Sequence, residues 1–172
     1  MIVNRFELCE KSVTRVNWSH EEVWNNFDVV FGHFTIRKYA FMNWTNITFL
    51  RDPIERVISE YGTLRKDEDK YMGMSLEEYA YLNRNLLTWM LDGSIDKLAF
   101  IGFVEEYEES LIRLESFLNR KIITISKERE NHSNYKNSKY KKYIPTDKER
   151  RIIESYNKLD IELYKGAYET IR

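Results

Sequence analysis

The segment from Asn46 to Arg65 reads NITFLRDPIERVISEYGTLR, and it predicts a strand, a turn and a helix in direct succession. The run Ile47–Leu50 is apolar or β-branched throughout, as in a buried strand, and Arg51 follows it. Aspartate is a favoured helix N-cap and proline is favoured in the first turn, so a helix is predicted to begin at Pro53. In an open parallel sheet, ligands lie beyond the carboxyl ends of the strands. Arg51 is therefore predicted at a ligand-binding edge.

The predicted helix has one apolar and one polar face. Its apolar residues recur at spacings of three and four residues, as expected for a buried stripe: Ile54, Val57, Ile58 and Tyr61. Asp52, Glu55 or Arg56, and Ser59 fall on the opposite, more open face, with Asp52 and Ser59 about two turns or ~10 Å apart along the axis. An arginine that lies back along this face brings its guanidinium near the Ser59 hydroxyl, and the two groups together suit a phosphate. The alternative is that Arg51 pairs with an acidic neighbour and Ser59 is a plain surface residue.

The rest of the chain alternates short apolar runs with longer helical patterns. Further strands are predicted at Val29–Phe31, Leu98–Val104 and Ile122–Ile125. This alternation favours an α/β fold with a mainly parallel sheet flanked by helices. With only two prolines, six glycines and no repeat or Ser/Gly linker, residues 1–172 are predicted to form a single domain.

Three helical regions are predicted after this first helix. Residues 75–93 indicate one or two helices with a capping box formed by Ser75 and Glu78, and a C-terminal helical region begins with a second box formed by Thr146 and Glu149. Between them, EEYEESLIRLESFLN predicts a helix whose buried stripe has three- and four-residue spacing: Val104, Tyr107, Leu111, Leu114 and Leu118. The glutamates at its start suit the positive end of a helix dipole, and no metal site is implied.

The composition excludes several classes of function. A net charge of −1 argues against general nucleic-acid binding. Cys9 is the only cysteine, so neither an internal disulfide nor a cysteine-based zinc site can form. No apolar run is long enough for a membrane segment, and residues 1–20 are too polar for a signal peptide. These features favour a soluble protein of a reducing, cytoplasmic compartment.

The segment FLRDPIERVISEY closely resembles the 3′-phosphate-binding motif of sulfotransferases, Arg-Asp-Pro-x-x-Arg-x-x-Ser-x-Tyr. It is most similar to the carbohydrate sulfotransferases typified by heparan sulfate 2-O-sulfotransferase. Three further stretches resemble elements of that family: VVFGHF before the motif, FIGFVEEYEESLIRLESFL after it, and the closing helix YNKLDIELYKGAYETI. The resemblance extends over about residues 29–171.

The resemblance implies a P-loop nucleotide-binding-like α/β fold and transfer of a sulfuryl group from 3′-phosphoadenosine 5′-phosphosulfate to a hydroxyl, expected on a carbohydrate. It assigns the donor's 3′-phosphate to Arg51 and Ser59. It also assigns the catalytic base to His33, a residue type whose pKa suits proton transfer. The family's first histidine is replaced here by Phe31. Taken without the resemblance, a lone histidine is more simply a structural residue.

A basic loop precedes the C-terminal helical region. Residues 126–145 contain six basic and two acidic residues. In the family, the corresponding loop closes over the donor, so Lys136 and Lys139 are candidate donor-binding residues by resemblance. A solvated loop without a binding role is the alternative.

The family's 5′-phosphosulfate loop has no counterpart in the 32 residues before His33. That loop reads like Pro-Lys-x-Gly/Ala-x-Thr/Ser, and Lys11-Ser12 lacks the glycine and the preceding strand. The chain is therefore expected to lack the first βα unit, which leaves a second function open: a non-catalytic remnant that binds a 3′-phosphorylated nucleotide or a sulfated glycan. A nucleotide kinase-like enzyme is a weaker third alternative, because no Gly-x-x-x-x-Gly-Lys sequence is present.

Overall fold

A computed structural model describes residues 34–41, 44–65, 73–122 and 143–171. Within these ranges the chain forms two strands, six α-helices and two 3₁₀ turns, at Ile36–Tyr39 and Val104–Glu106. The strands are β1 (Ile47–Leu50) and β2 (Phe100–Phe103). The helices are α1 (Pro53–Leu64), α2 (Leu76–Leu82), α3 (Leu86–Met90), α4 (Tyr107–Leu118), α5 (Asp147–Tyr156) and α6 (Lys158–Ile171).

The two strands form a parallel pair, with Ile47 opposite Phe100 and Leu50 opposite Phe103. The predicted strand Ile47–Leu50 is confirmed, and β2 is shorter at both ends than the predicted Leu98–Val104. All four residues of β2 are buried, which is typical of a parallel strand covered on both faces. The described part of the chain is thus a small parallel sheet accompanied by helices, in agreement with an α/β fold.

Two predicted strands cannot be compared with the structure. Val29–Phe31 lies outside the described residues, as does Ile122–Ile125 from position 123 onward.

Helix α1 begins at Pro53, as predicted. Asp52 Oδ1 accepts hydrogen bonds from the amides of Ile54 and Glu55 at 2.9 and 3.0 Å, and so caps the helix. The predicted apolar stripe packs against α2 and α5. Three of its residues belong to a buried cluster of six, and Ile54 is half-buried against that cluster. The six are Val57, Ile58, Tyr61, Leu76, Ala80 and Ile153. The two predicted capping boxes, at Ser75 and Thr146, are also present.

The predicted apolar stripe of α4 is only partly correct. Leu114 is buried and Leu111 is half-buried, but Val104, Tyr107 and Leu118 are 42%, 47% and 43% exposed. A polar residue, Ser110, takes the position against the sheet. Its hydroxyl accepts from the amide of Phe103 at 2.8 Å and donates to the carbonyl of the same residue at 3.2 Å. The backbone of β2 thus needs a hydrogen-bonding side chain here, a requirement that apolar periodicity does not reveal.

A second core cluster covers one face of the two-stranded sheet, since Leu50, Ile101 and Phe103 alternate onto the same side. Its buried members come from β1, β2, α6 and the end of α3: Leu50, Leu91, Ile101, Phe103 and Ala167. The ring of Phe103 makes edge-to-face contacts with Tyr164 and Tyr168 of α6, with ring centroids 5.6 and 5.0 Å apart. Helix α6 therefore packs directly over the end of β2.

The starts of α3 and α6 cap each other. Asp160, fully buried in α6, accepts from the amides of Leu87 and Thr88 at 3.0 and 2.7 Å and from the Thr88 hydroxyl at 2.7 Å. In return, Asn85 Oδ1 accepts from the amides of Leu159 and Asp160 at 3.1 and 3.4 Å. The first amides of a helix lack partners within the helix, and here each helix supplies acceptors for the other.

An arginine from α1 joins this arrangement. Arg56 Nη2 lies 3.6 Å from Asp160 Oδ2, and Nη1 donates to Glu60 Oε2 at 2.9 Å. Asn157 is also buried, and its Oδ1 accepts from the amide of Asn85 at 3.2 Å. We call the set Arg56, Asn85, Thr88, Asn157 and Asp160 the buried polar cluster. It holds α1, α3 and α6 together.

Gly102 leaves room for the aromatic ring of Phe49 on the neighbouring strand. A Cβ added at Gly102 would lie 2.5 Å from the Phe49 ring, the residue opposite it in the ladder. We expect Gly102→Ala to lower the free energy of unfolding by about 1–3 kcal/mol, because the ring must move. Urea unfolding followed by circular dichroism measures this. Gly166→Ala is the control, since its Cβ meets nothing within 4 Å in α6 and is expected to be neutral or stabilising. An unchanged midpoint for Gly102→Ala would contradict the close contact.

The buried polar cluster predicts a large effect of a small change. Asp160→Asn retains the size of the side chain but removes the charge, leaving Arg56 and the α3 amides with a weaker acceptor. We expect it to lower the free energy of unfolding by about 2–4 kcal/mol. Asp147→Asn, an exposed change in the first turn of α5, is the control and is expected to cost less than about 1 kcal/mol. Equal stability of the two variants in urea would show that the cluster does not hold the helices.

Candidate functional site

Arg51 directly follows β1 and stands at the carboxyl end of a parallel strand, as the sequence predicted. It is half-buried. Among the described residues, its guanidinium forms no hydrogen bond or ion pair, although several acidic side chains are nearby in sequence. The alternative in which Arg51 pairs with an acidic neighbour is therefore not supported in this part of the chain. A half-buried cation without a partner in the described ranges is available for an anion.

Ser59 lies eight residues further on, in the second half of α1, and is also half-buried. Its carbonyl accepts from Thr63 Oγ1 at 3.0 Å, but its hydroxyl has no hydrogen-bond partner within the described ranges. Within the described part of the chain, Arg51 and Ser59 thus provide two free donors on one continuous strand-to-helix segment. Because Asp52 already occupies the amides of Ile54 and Glu55, an anion here would be bound by side chains more than by the helix N-terminus.

The other arginine of the segment has a different environment. The side chain of Arg56 is only 15% exposed and is directed into the buried polar cluster. Its Nε is buried without a hydrogen-bond partner in the described part of the molecule. Arg56 therefore serves the packing of α1, while Arg51 remains outside the cluster.

The turn that carries Arg51 is held by a glutamate from the 3₁₀ turn that follows β2. The amide of Asp52 donates to Glu105 Oε1 at 2.9 Å, and Tyr164 of α6 donates its hydroxyl to Glu105 Oε2 at 3.0 Å. Burial, followed by the hydrogen bond to Glu105 and the negative charge of that residue, raises the pKa of Tyr164 well above its usual value. The phenol consequently keeps its proton and remains a donor at neutral pH.

Sequence reasoning missed these two residues. The sequence pattern predicts only an acidic helix start for Glu105 and a place in the closing helix for Tyr164. A signal was present, because Glu105 comes two residues after the end of β2 and parallel strands end at the same edge of a sheet. The contact with Tyr164 could not be predicted from the sequence, since it depends on where α6 packs.

Three predicted site residues cannot be compared with this geometry. His33, Lys136 and Lys139 lie outside the described residues, so their placement near Arg51 stays a prediction. Within the described ranges there is no group of three or more His, Cys, Asp or Glu side chains that could hold a metal ion. No helix in those ranges is both long and apolar enough to span a bilayer.

Comparison with known proteins gives one family. The model of the sulfotransferase family matches residues 3–108, which is more than half of the chain and includes His33, Arg51, Ser59 and Glu105. Neither a curated protein nor a solved structure matches the sequence. The predicted closing helix lies beyond the matched residues, and its family resemblance stays a prediction. The chain belongs to the sulfotransferase family.

Proposed function

We propose that this protein transfers a sulfuryl group from 3′-phosphoadenosine 5′-phosphosulfate to a hydroxyl group of a carbohydrate. The proposal rests mainly on Arg51. This residue directly follows the carboxyl end of a parallel strand, and its guanidinium has no ion-pair partner in the described ranges. The family match supports sulfotransferase activity in general, and the likeness of the Arg51–Tyr61 segment to carbohydrate sulfotransferases supports the donor and the acceptor class.

The free donors fit the 3′-phosphate of the nucleotide. A guanidinium offers two parallel N–H groups to phosphate oxygens, and a hydroxyl adds a third donor. Arg51 and Ser59 would hold the 3′-phosphate in this way. Lys136 and Lys139 of the basic loop are proposed to contribute further positive charge to the donor. When bound, the donor supplies the activated sulfuryl group.

His33 is proposed as the general base. As the acceptor oxygen attacks sulfur, the bond between sulfur and the 5′-phosphate oxygen would break and adenosine 3′,5′-bisphosphate would leave. The hydroxyl proton of the acceptor must leave as well, and a neutral imidazole accepts a proton readily near neutral pH. The proton would move from the acceptor hydroxyl to a ring nitrogen of His33. Its place in the VVFGHF stretch, which resembles the family's histidine element, supports this role. Phe31 replaces the first histidine of that element, so His33 would act without a neighbouring imidazole.

The donor site is tested with adenosine 3′,5′-bisphosphate, which carries the 3′-phosphate but no sulfuryl group. We expect Arg51→Ala to weaken its binding by about 1.5–3 kcal/mol, because a charged hydrogen bond is lost. Ser59→Ala is expected to cost about 0.5–1.5 kcal/mol, since a neutral hydroxyl contributes less. Isothermal titration calorimetry measures both.

Two variants control for charge and for helix composition. Arg151→Ala removes an equal charge from an exposed position of α5, and Ser116→Ala removes a hydroxyl from an exposed position of α4. Neither is expected to change the affinity for the nucleotide. If wild type and Arg51→Ala bind it equally well, Arg51 does not form the site.

Catalysis is tested by turnover with the sulfate donor and a glycan acceptor. We expect His33→Ala to lower kcat by about 10²- to 10⁴-fold, the usual contribution of a general base, while the affinity for adenosine 3′,5′-bisphosphate is unchanged. His20→Ala is the control, because His20 matches no family element. Nucleotide binding through Arg51 without any sulfated product from the wild type would instead favour a non-catalytic binding protein.

A further inference from the structure

The peptide that joins Arg51 to Asp52 lies just beyond the β1–β2 ladder, which ends at Leu50 and Phe103. Its N–H group does not bond to the neighbouring strand. It donates instead to a side chain, Glu105 Oε1, at 2.9 Å. Asp52 is constrained in two further ways, because its carboxylate caps α1 and the following Pro53 restricts its backbone. The bond to Glu105 is therefore one of three constraints that fix how the chain leaves the sheet after Arg51, and the only one of the three that comes from the segment after β2.

Glu105 itself is held from the opposite side. It is an exposed residue, but its second carboxylate oxygen accepts from the Tyr164 hydroxyl at 3.0 Å. The ring of Tyr164 packs edge-on against Phe103, which anchors it to the end of β2. The Asp52 amide, Glu105 and Tyr164 thus form one continuous chain of hydrogen bonds from the strand-to-helix turn to α6.

We propose that Glu105 is a positioning residue for the nucleotide site and that Tyr164 holds it in place. The carboxylate orients the Arg51–Asp52 peptide, and through it the Arg51 side chain, toward the 3′-phosphate. This inference rests on the proposed function, since it assumes that Arg51 binds the nucleotide.

Because Glu105 is charged, mutations can distinguish its positioning role from a purely electrostatic effect on the nucleotide. A negative charge close to a phosphate site repels the ligand, so removing that charge alone should tighten binding. Removing the acceptor for the Asp52 amide should weaken binding, because Arg51 is no longer preorganised. The two effects have opposite signs, and two substitutions of Glu105 distinguish them.

The experiment measures the dissociation constant of adenosine 3′,5′-bisphosphate by calorimetry, with thermal unfolding to confirm that every variant is folded. Glu105→Ala is expected to weaken binding about 3- to 10-fold, which corresponds to one lost hydrogen bond. Glu105→Gln keeps an oxygen for the Asp52 amide and is expected to bind as tightly as wild type or more tightly. Tyr164→Phe is expected to weaken binding about 2- to 5-fold.

Tyr168→Phe is the matched control. Tyr168 lies one turn further along α6, stacks on Tyr164 and donates its hydroxyl to Glu106, whereas the Asp52 amide is held by Glu105. Removing this hydroxyl perturbs the same helix and the same aromatic group, and it is expected to leave the affinity unchanged.

The possible results are distinct. If Glu105→Ala binds the nucleotide as tightly as wild type or more tightly, while Arg51→Ala binds it weakly, the positioning role is wrong and the proposed donor site stands. Equal weakening by Tyr164→Phe and Tyr168→Phe would mean that the tyrosines act through helix packing alone. If wild type does not bind the nucleotide, the proposed function fails and this inference fails with it.

Discussion

The contact between Arg56 and Asp160 is the interaction on which the arrangement of helices depends. Both groups are largely withdrawn from water, and a buried charge is tolerated only when it is paired and hydrogen-bonded. Asp160 meets this requirement by accepting hydrogen bonds from two α3 amides and a threonine hydroxyl and by forming an ion pair with Arg56 at 3.6 Å. Because these bonds form in one geometry, they fix how α1, α3 and α6 pack together. Apolar packing alone would define that geometry less strictly.

Helix α6 transmits this constraint to the candidate site. Asp160, Tyr164 and Tyr168 follow one another at four-residue spacing and therefore lie along one face of the helix. Asp160 contacts α1, and the two tyrosines donate to Glu105 and Glu106 beyond the end of β2. The same helix thus positions both the start of the Arg51 turn and the body of the helix that carries Ser59.

Neighbouring side chains of residues 51–59 have different roles, in capping α1, in packing and in the candidate site. Asp52 caps α1, Arg56 is directed into the buried polar cluster, and Arg51 and Ser59 keep donor groups that no other described residue occupies. A strand-to-helix segment that only needed to fold would not require the two free donors. Their presence at the carboxyl end of a parallel strand, in a member of the sulfotransferase family, is the basis of the proposed donor site.

Local features could be predicted from the sequence. The strand before Arg51, the start of α1 and both capping boxes depend on residues within a few positions of one another, and all are confirmed. Features that depend on distant residues could not. Ser110 faces the sheet because of the backbone of Phe103. Arg56 and Glu105 each have one partner from α6, Asp160 and Tyr164, and α6 packs against them only in the folded chain.

The proposed donor site requires that Arg51 and Ser59 bind the 3′-phosphate of the sulfate donor. A crystal structure of the protein with adenosine 3′,5′-bisphosphate tests this without relying on mutations. We expect 3′-phosphate oxygens at hydrogen-bonding distance, about 2.7–3.2 Å, from the Arg51 guanidinium and the Ser59 hydroxyl, at the carboxyl end of β1. A nucleotide whose 3′-phosphate is bound elsewhere, with Arg51 and Ser59 making no contact to it, would contradict the claim.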